Sequence, residues 1–297
     1  MAVLMALLLV ALAASASALV LWQQRLWWQQ LAADRRRAEM HALADAGLAL
    51  AMARLQPVAV VGLGDAWARP GFLQEDDGKV EIRLADGQGR FNLNGLAAGG
   101  AQVDAAWLET LRRLLASLQL PDELAGNLVR WRGLLTRSQQ EAGLRPPIGQ
   151  PPLARWDDLA RVPGFTPERM ARLAPYATVL PEGVRRVNVN TASAELLTAL
   201  LPTLPPGAVA EALSRRTAQP YRDVGEFLAR AGSGNPDGAA DLTTGSDYFL
   251  LRAIVRHGHA RRSVMALLKV EAGRTRLLWR LDRAGGNFVE EEGGRAP

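Results

Sequence analysis

The chain has 297 residues, is 48% hydrophobic and carries a formal net charge of +5, so it can bury a sizeable core as one large domain or two small ones. It has no cysteine, which excludes disulfides, thiolate metal sites and cysteine nucleophiles and is compatible with either side of an inner membrane. Lys79 and Lys269 are its lysines and the arginines are spread along the chain, so a pI near 10.3 permits nucleic-acid binding but barely favours it.

Residues 1–22 carry no charge, and as a helix they would extend about 33 Å, enough to cross the hydrocarbon core of a bilayer. A cleaved secretory signal is the alternative. No basic residue precedes the apolar run, however, and the helical pattern continues well past Ser17. Arg25 and Arg35-Arg36-Arg37 follow the span, which by the positive-inside rule alone would put the C-terminal body in the cytoplasm. A basic leader removed before Met1 would reverse that reading. Beyond Trp22 the period persists through Met40, Leu43, Gly47, Leu50 and Arg54. It predicts one continuous helix over about 2–55, ending before Pro57, with a break near Asp34 as the competing reading.

A loop rich in turn formers follows (Gly62, Gly64, Pro70, Gly71, Asp76, Asp77, Gly78). Lys79–Asp86 then alternates, with Val80, Ile82 and Leu84 on one face, which predicts a half-buried strand. The Asp86-Gly87 turn and Gly89 lead to Phe91-Asn92-Leu93-Asn94, expected as a second short strand. From about 103 to 240 the pattern is helical in short pieces, expected near 103–118, 122–135, 155–162, 167–174, 192–200, 207–216 and 223–231 and separated by prolines. Residues 136–154 read as a polar linker. Strand patterns return at Tyr248–Arg256, Ser263–Val270 and Thr275–Asp282, and 285–297 reads as a disordered tail. Strands before and after a run of helices predict an α+β fold, one antiparallel sheet with an all-α subdomain inserted between its strands.

Chemistry-bearing patterns are sparse. His257 and His259 form a His-x-His pair in a strand turn without a partner carboxylate set by spacing, and His41 lies on the long helix. No Gly-rich phosphate loop, nucleophile elbow or His-Glu-x-x-His occurs, and no catalytic residue or cofactor site is expected. Asp237, Asp241 and Asp247 lie in a Gly-rich loop and are candidate calcium ligands, but their spacing is not that of an EF-hand.

Asn188-Val189-Asn190-Thr191-Ala192-Ser193, opening a helix, resembles the helix-hairpin-helix and SAM-like modules of DNA-binding proteins, in which hairpin amides and a helix N-terminus hold a phosphate. The hairpin departs from them. Leu201–Gly207 holds Pro202, Pro205 and Pro206, each lacking an N–H donor. A packing role is therefore expected, with a membrane-tethered DNA-binding protein kept as the rival function.

Several stretches together resemble the type II secretion system protein K (GspK) minor pseudopilins. They are the uncharged start, Gly64–Pro70, Gly89–Leu96, Leu159–Gly164, Asn188–Ser193, Asp223–Leu228 and Ser246–Phe249. They occur in the family's order across nearly the whole chain, Phe91–Asn94 and Asn188–Ser193 being the most specific. The resemblance implies a pilin-like fold: a membrane helix 1–55, a sheet from 56–100 and 246–284, and an inserted SAM-like or helix-hairpin-helix-like domain 101–245 of two modules, about 101–183 and 184–245. It implies a structural, non-enzymatic subunit at the tip of a pseudopilus, anchored in the bacterial inner membrane with a periplasmic body. Implied partners are GspI, GspJ and GspH, the major pseudopilin and prepilin peptidase, with no nucleic acid and no cofactor. Met1 would be the first residue after peptidase cleavage. Met5 stands where most pilins have glutamate, as the family implies. The stretch after Trp131 lacks the acidic, calcium-linked residues usual in the family, having Glu141 as its one acid before Leu153.

Overall fold

A computed structural model describes residues 2–285 apart from positions 76, 98, 100, 147, 206, 215, 217, 218, 233–235 and 272; Met1 and residues 286–297 of the tail expected at 285–297 lie outside the described residues. Helix α1 runs unbroken over Ala2–Arg54, 53 residues. The competing break at Asp34 does not occur, because Asp34 pairs along the helix surface with Arg37 at 3.2 Å rather than capping a new start.

The expected loop before Lys79 is partly corrected. It holds a 3-10 turn at Ala66–Ala68 and a strand, β1 (Gly71–Glu75), hairpinned to β2 (Gly78–Asp86). Turn formers at both ends masked this strand, and as an edge strand it lacks a clean alternation, with Phe72 60% exposed. The expected second sheet strand is also corrected. Only Phe91–Asn92 (β3) is extended, and Leu93–Leu96 turns into a 3-10 helix because the Asn92 side chain accepts from the Asn94 amide at 3.1 Å.

Helices α2 (Ala105–Ser117), α3 (Glu123–Arg132) and α4 (Arg137–Glu141) follow. The last lies in the expected linker and starts from a capping box formed by Thr136 and Gln139. Trp156–Arg161 is 3-10, then come α5 (Pro167–Leu173), β4 (Ala177–Thr178), β5 (Val187–Asn188), α6 (Ala194–Leu200), α7 (Ala208–Leu213) and α8 (Val224–Arg230). After a 3-10 turn at Ala239–Asp241 and β6 (Leu242–Thr243), strands β7 (Tyr248–His257), β8 (Ala260–Glu271) and β9 (Arg274–Ala284) complete the chain.

The sheet has the order β1-β2-β7-β8-β9, antiparallel throughout. Strands β2 and β7 are direct neighbours, with Asp86 opposite Phe249, so everything between them is an insertion hung on one ladder. Alternation puts Val80, Ile82, Leu84, Leu251, Ala253, Val255, Val264, Ala266 and Leu268 on one face, where Met40, Leu43, Ala44, Ala51 and Leu55 of α1 cover them. Each fully buried Leu, Ile or Val contributes roughly 1.5–3 kcal/mol. Gly47 lets the helix approach: a Cβ there would lie 2.7 Å from Val80 Cγ1. Arg280 of β9 pins the same helix through Asp45 and binds Asp282 at 2.7 Å. Burial pushes Asp282 up, but hydrogen bonds and charge from Arg280 and Arg262 outweigh it and hold the carboxyl below the usual range.

The inserted body lies against the opposite sheet face, where Leu180 meets Tyr248 and Leu267, with Val184, Leu250 and Trp279 around them. Its own apolar core is continuous from Phe91 to Leu242 and includes stacked Phe91 and Trp107, 4.5 Å between ring centroids. Inside it a pattern recurs. β3 pairs in parallel with β4, and β5 pairs in parallel with β6. Each of these opening strands ends in an Asn-x-Asn, and in each the first side chain accepts from the second amide, at 3.1 Å for Asn92 and 3.0 Å for Asn188.

Candidate functional site

Two features have more than a local role: the free half of α1, and the junction where the body joins the sheet. From Ala2 to Ala32 every described side chain is exposed, and the first buried residue of α1 is Met40. Met5 lies in this free half, 71% exposed, among Val3, Leu4, Leu7, Leu8 and Leu9. A surface of that composition, about 35 Å long before the first charge at Arg25, is unstable in water and needs a lipid or helical environment. The helix is long and apolar enough to cross a membrane once.

The junction is built on Asp86. Its side chain continues the buried face set by Val80, Ile82 and Leu84, which is the signal that marks it in the sequence, and it is 6% exposed. Oδ2 accepts from Thr191 Oγ1 and Ser246 Oγ, both at 2.6 Å, and from Asn188 Nδ2 at 2.9 Å. Oδ1 accepts from the Gln88 amide at 2.8 Å. Burial pushes the Asp86 carboxyl above its ordinary range, with these hydrogen bonds pulling the other way. Gln88 extends the network, donating to Arg186 O at 3.2 Å and accepting from the Asp247 amide at 2.7 Å. Gly89 allows the close pass, since a Cβ there would lie 2.6 Å from Thr191 Oγ1. The end of β2, the start of the second repeat and the return into β7 are thus tied at one carboxylate.

The asparagines act in the same way on backbone. Asn92 accepts from Leu180 N at 2.9 Å and donates to Pro181 O and Val184 O at 3.0 and 2.8 Å. Asn94 donates to Leu153 O and Leu180 O, both at 2.8 Å, and accepts from Leu153 N at 2.9 Å. Asn190 bridges the amide and carbonyl of Tyr221 at 2.8 and 3.0 Å. All are buried, so each amide side chain replaces a missing ladder partner for a loop crossing the core. Thr191 and Ser193 have equally internal duties: Thr191 binds Asp86, and Ser193 caps α6 by accepting from Leu196 N at 3.2 Å. In the segment that resembles a DNA-binding module, Asn188 and Thr191 therefore turn inward to the Asp86 carboxylate, and Asn190 to the Tyr221 backbone.

The remaining sequence candidates are scattered. Asp237 and Asp247 are exposed, and Asp241 sits half-buried beside Arg185 and Asp104, its carboxyl pushed up by burial. Among the described residues no three His, Cys, Asp or Glu side chains gather as a metal site. His257 lies 3.5 Å from Glu39, and His41 lies 3.1 Å from Arg262. In the stretch after Trp131, Arg132 reaches Asn94 Oδ1 and Gln150 O, both at 3.3 Å, and pairs with Glu182. A cation thus fills part of that loop. Met1, expected as a processed terminus, lies outside the described residues.

Comparison with known proteins agrees with this architecture. Family models described as type II secretion system (T2SS), protein K match residues 89–182 and 187–245, together just over half of the chain. The type II secretion system protein K of Pseudomonas aeruginosa is 30% identical over 250 residues, covering 78% of this chain and 74% of that protein. The protein K of Klebsiella pneumoniae is 28% identical over 303 residues, covering 92% and 93%. A chain in the crystal structure of the GspK-GspI-GspJ complex of enterotoxigenic Escherichia coli shares the fold, with a TM-score of 0.70 at 23% identity, covering 87% of this chain and 100% of that one. The chain belongs to the type II secretion system protein K family of minor pseudopilins.

Proposed function

We propose that this chain is the tip subunit of a type II secretion pseudopilus, held in the inner membrane by α1 with its sheet and helical body in the periplasm. The observation that carries this reading is the division of the sheet. One face takes the second half of α1, and the other carries the inserted body, leaving the first half of α1 uncovered on every side. A helix free over its first 32 residues suits bundling with like helices. A body of roughly 160 residues on the opposite face is an obstacle to further stacking.

Met5 supports an end position. In a packed apolar bundle a neighbour's ammonium needs a nearby carboxylate, because an uncompensated buried charge costs several kcal/mol, and a thioether supplies none. The related complex contains GspI and GspJ; the partners expected here are those two, with GspH and the major pseudopilin below them and prepilin peptidase as the processing enzyme. The reading is structural: a buried, internally satisfied polar network holds shape and needs neither substrate nor nucleic acid.

The test is to label the helical body and image assembled pseudopili. Label confined to one end is expected, and label distributed along the shaft would sink the tip position. Copurification with GspI and GspJ tests the partnership separately.

A further inference from the structure

The stretch of α1 between the apolar half and the sheet contact, residues 22–37, carries a pattern that neither spanning nor bundling requires. Trp22, Trp27 and Trp28 are 61%, 70% and 70% exposed. At about 100° of rotation per residue they point roughly 100–140° apart around the helix, within about 9 Å of rise along its axis. A docking face for one partner helix would gather aromatics on one side. A ring around the axis matches surroundings that are the same on all sides and change only with depth, as a bilayer interface does. Tryptophan, apolar in body with one N–H, concentrates at that depth.

Position and charge agree. The ring begins after the uncharged run Ala2–Leu21, about 30 Å of helix and so one hydrocarbon thickness. Gln23, Gln24, Gln29 and Gln30 interleave with it, as expected for a half-polar layer. Arg25 lies within the ring, and Arg35, Arg36 and Arg37 come about two turns beyond it, against one acid, Asp34. Arg35 pairs with Glu39 and Arg37 with Asp34 on the helix surface; among the described residues no carboxylate pairs with Arg25 or Arg36. The body leaves the segment open, since burial begins at Met40, about 18 Å beyond Trp28.

We propose that residues 22–37 form an interfacial collar on the body side of the membrane. Trp22, Trp27 and Trp28 seat in the head-group layer, and the arginines bind anionic phospholipid. The collar fixes the depth of α1 and the height of the body above the bilayer, and lipid must be stripped from it on all sides before α1 can enter a helical bundle. This rests on the reading of α1 as the anchor.

The test reconstitutes the full chain in phosphatidylcholine vesicles containing phosphatidylglycerol, with bromine on the acyl chains either near the head groups or near the bilayer centre. The other five tryptophans, Trp67, Trp107, Trp131, Trp156 and Trp279, belong to the sheet and the inserted body and give an unquenched background. Shallow bromine should quench about twofold or more over deep bromine, as interfacial tryptophans require. The combined variant Trp22→Leu, Trp27→Leu, Trp28→Leu should lose that quenching. Brominated phosphatidylglycerol should quench more than brominated phosphatidylcholine at equal content, and changing Arg25, Arg35, Arg36 and Arg37 to Gln should equalise the two. These variants alter no buried side chain. Release of the chain by alkaline wash would overturn the anchor and the collar with it. Retention with deep quenching equal to or above shallow, or no lipid preference in the unaltered chain, would overturn the collar alone.

Discussion

Ser246 donates a 2.6 Å hydrogen bond to Asp86 across 160 residues of chain. The first stands where the chain re-enters the sheet and the second where it leaves. Thr191 and Asn188 bind the same oxygen from inside the insertion, so the base of the body is closed at one side chain.

Replacing Asp86 by Ala leaves several buried donors without an acceptor and should cost about 3 kcal/mol or more. Asp86→Asn keeps the shape but sets an amide N–H against donors, and should cost less. Burial raises the Asp86 pKa, with hydrogen bonds from Ser246, Thr191, Gln88 and Asn188 opposing. Its contribution is therefore fully present below the ordinary aspartate value of about 4 and is lost as pH rises through the raised value. Urea midpoints of the detergent-solubilised chain should fall with pH over that window, and Asp86→Asn should flatten the fall. A midpoint that rises with pH in both proteins would show that Asp86 is not the responsible group.

Asn94→Ala should destabilise by about 2–4 kcal/mol, since it strands Leu153 N, Leu153 O and Leu180 O in the core. Asn94→Asp retains an acceptor for Leu153 N but turns a carboxylate toward two carbonyls. It should be as damaging at neutral pH and recover partly on acidification, when the carboxyl can donate. Equal stability of both variants at every pH, measured by urea unfolding, would count against these roles.

The long helix, the three C-terminal strands and most helical pieces were legible because a sustained period of 3.6 or 2 reports one buried face. Strand β1 was hidden because an edge strand buries little, and Phe91–Asn94 was misjudged because a side-chain cap ended its extension after two residues. Asn188–Ser193 was visible as a motif, but its meaning was not: whether an asparagine faces a phosphate or a buried loop depends on what the fold sets opposite. Asp86 leaves a trace, a carboxylate on the apolar side of an alternating strand, but the Gly87 after it gives the pair the signature of a turn. Its partners Thr191 and Ser246 lie more than a hundred residues away, beyond any local pattern.

Chelation should leave folding unchanged. The three candidate acids are not gathered among the described residues, and Arg132 occupies part of the loop after Trp131, binding Asn94 and Gln150 there. The melting temperature of the chain should be the same with and without chelator. A drop of many degrees would mean that an ion stabilises the native state, and calcium titration of Asp237→Asn, Asp241→Asn and Asp247→Asn variants would then locate it.

Gly47 and Val80 should be coupled. In the middle of a helix, Gly→Ala normally gains up to about 1 kcal/mol from backbone propensity. Here the added Cβ would lie 2.7 Å from Val80 Cγ1 and 3.5 Å from Ile82 Cγ2. The Val80 side chain is β-branched and fully buried, and has little freedom to retreat. Overpacking of this kind costs about 1–3 kcal/mol, so Gly47→Ala should be destabilising by about 1 kcal/mol, contrary to the propensity rule. Val80→Ala opens the space and carries its own cavity cost. In the double variant the new methyl fills part of that cavity, and the two changes should offset each other by about 1 kcal/mol or more relative to their sum. Urea unfolding of the four proteins measures the coupling. Additive effects would mean that α1 is not seated on β2 through this contact, and the position of the anchor relative to the body would have to be set elsewhere, at Arg280 and Asp45.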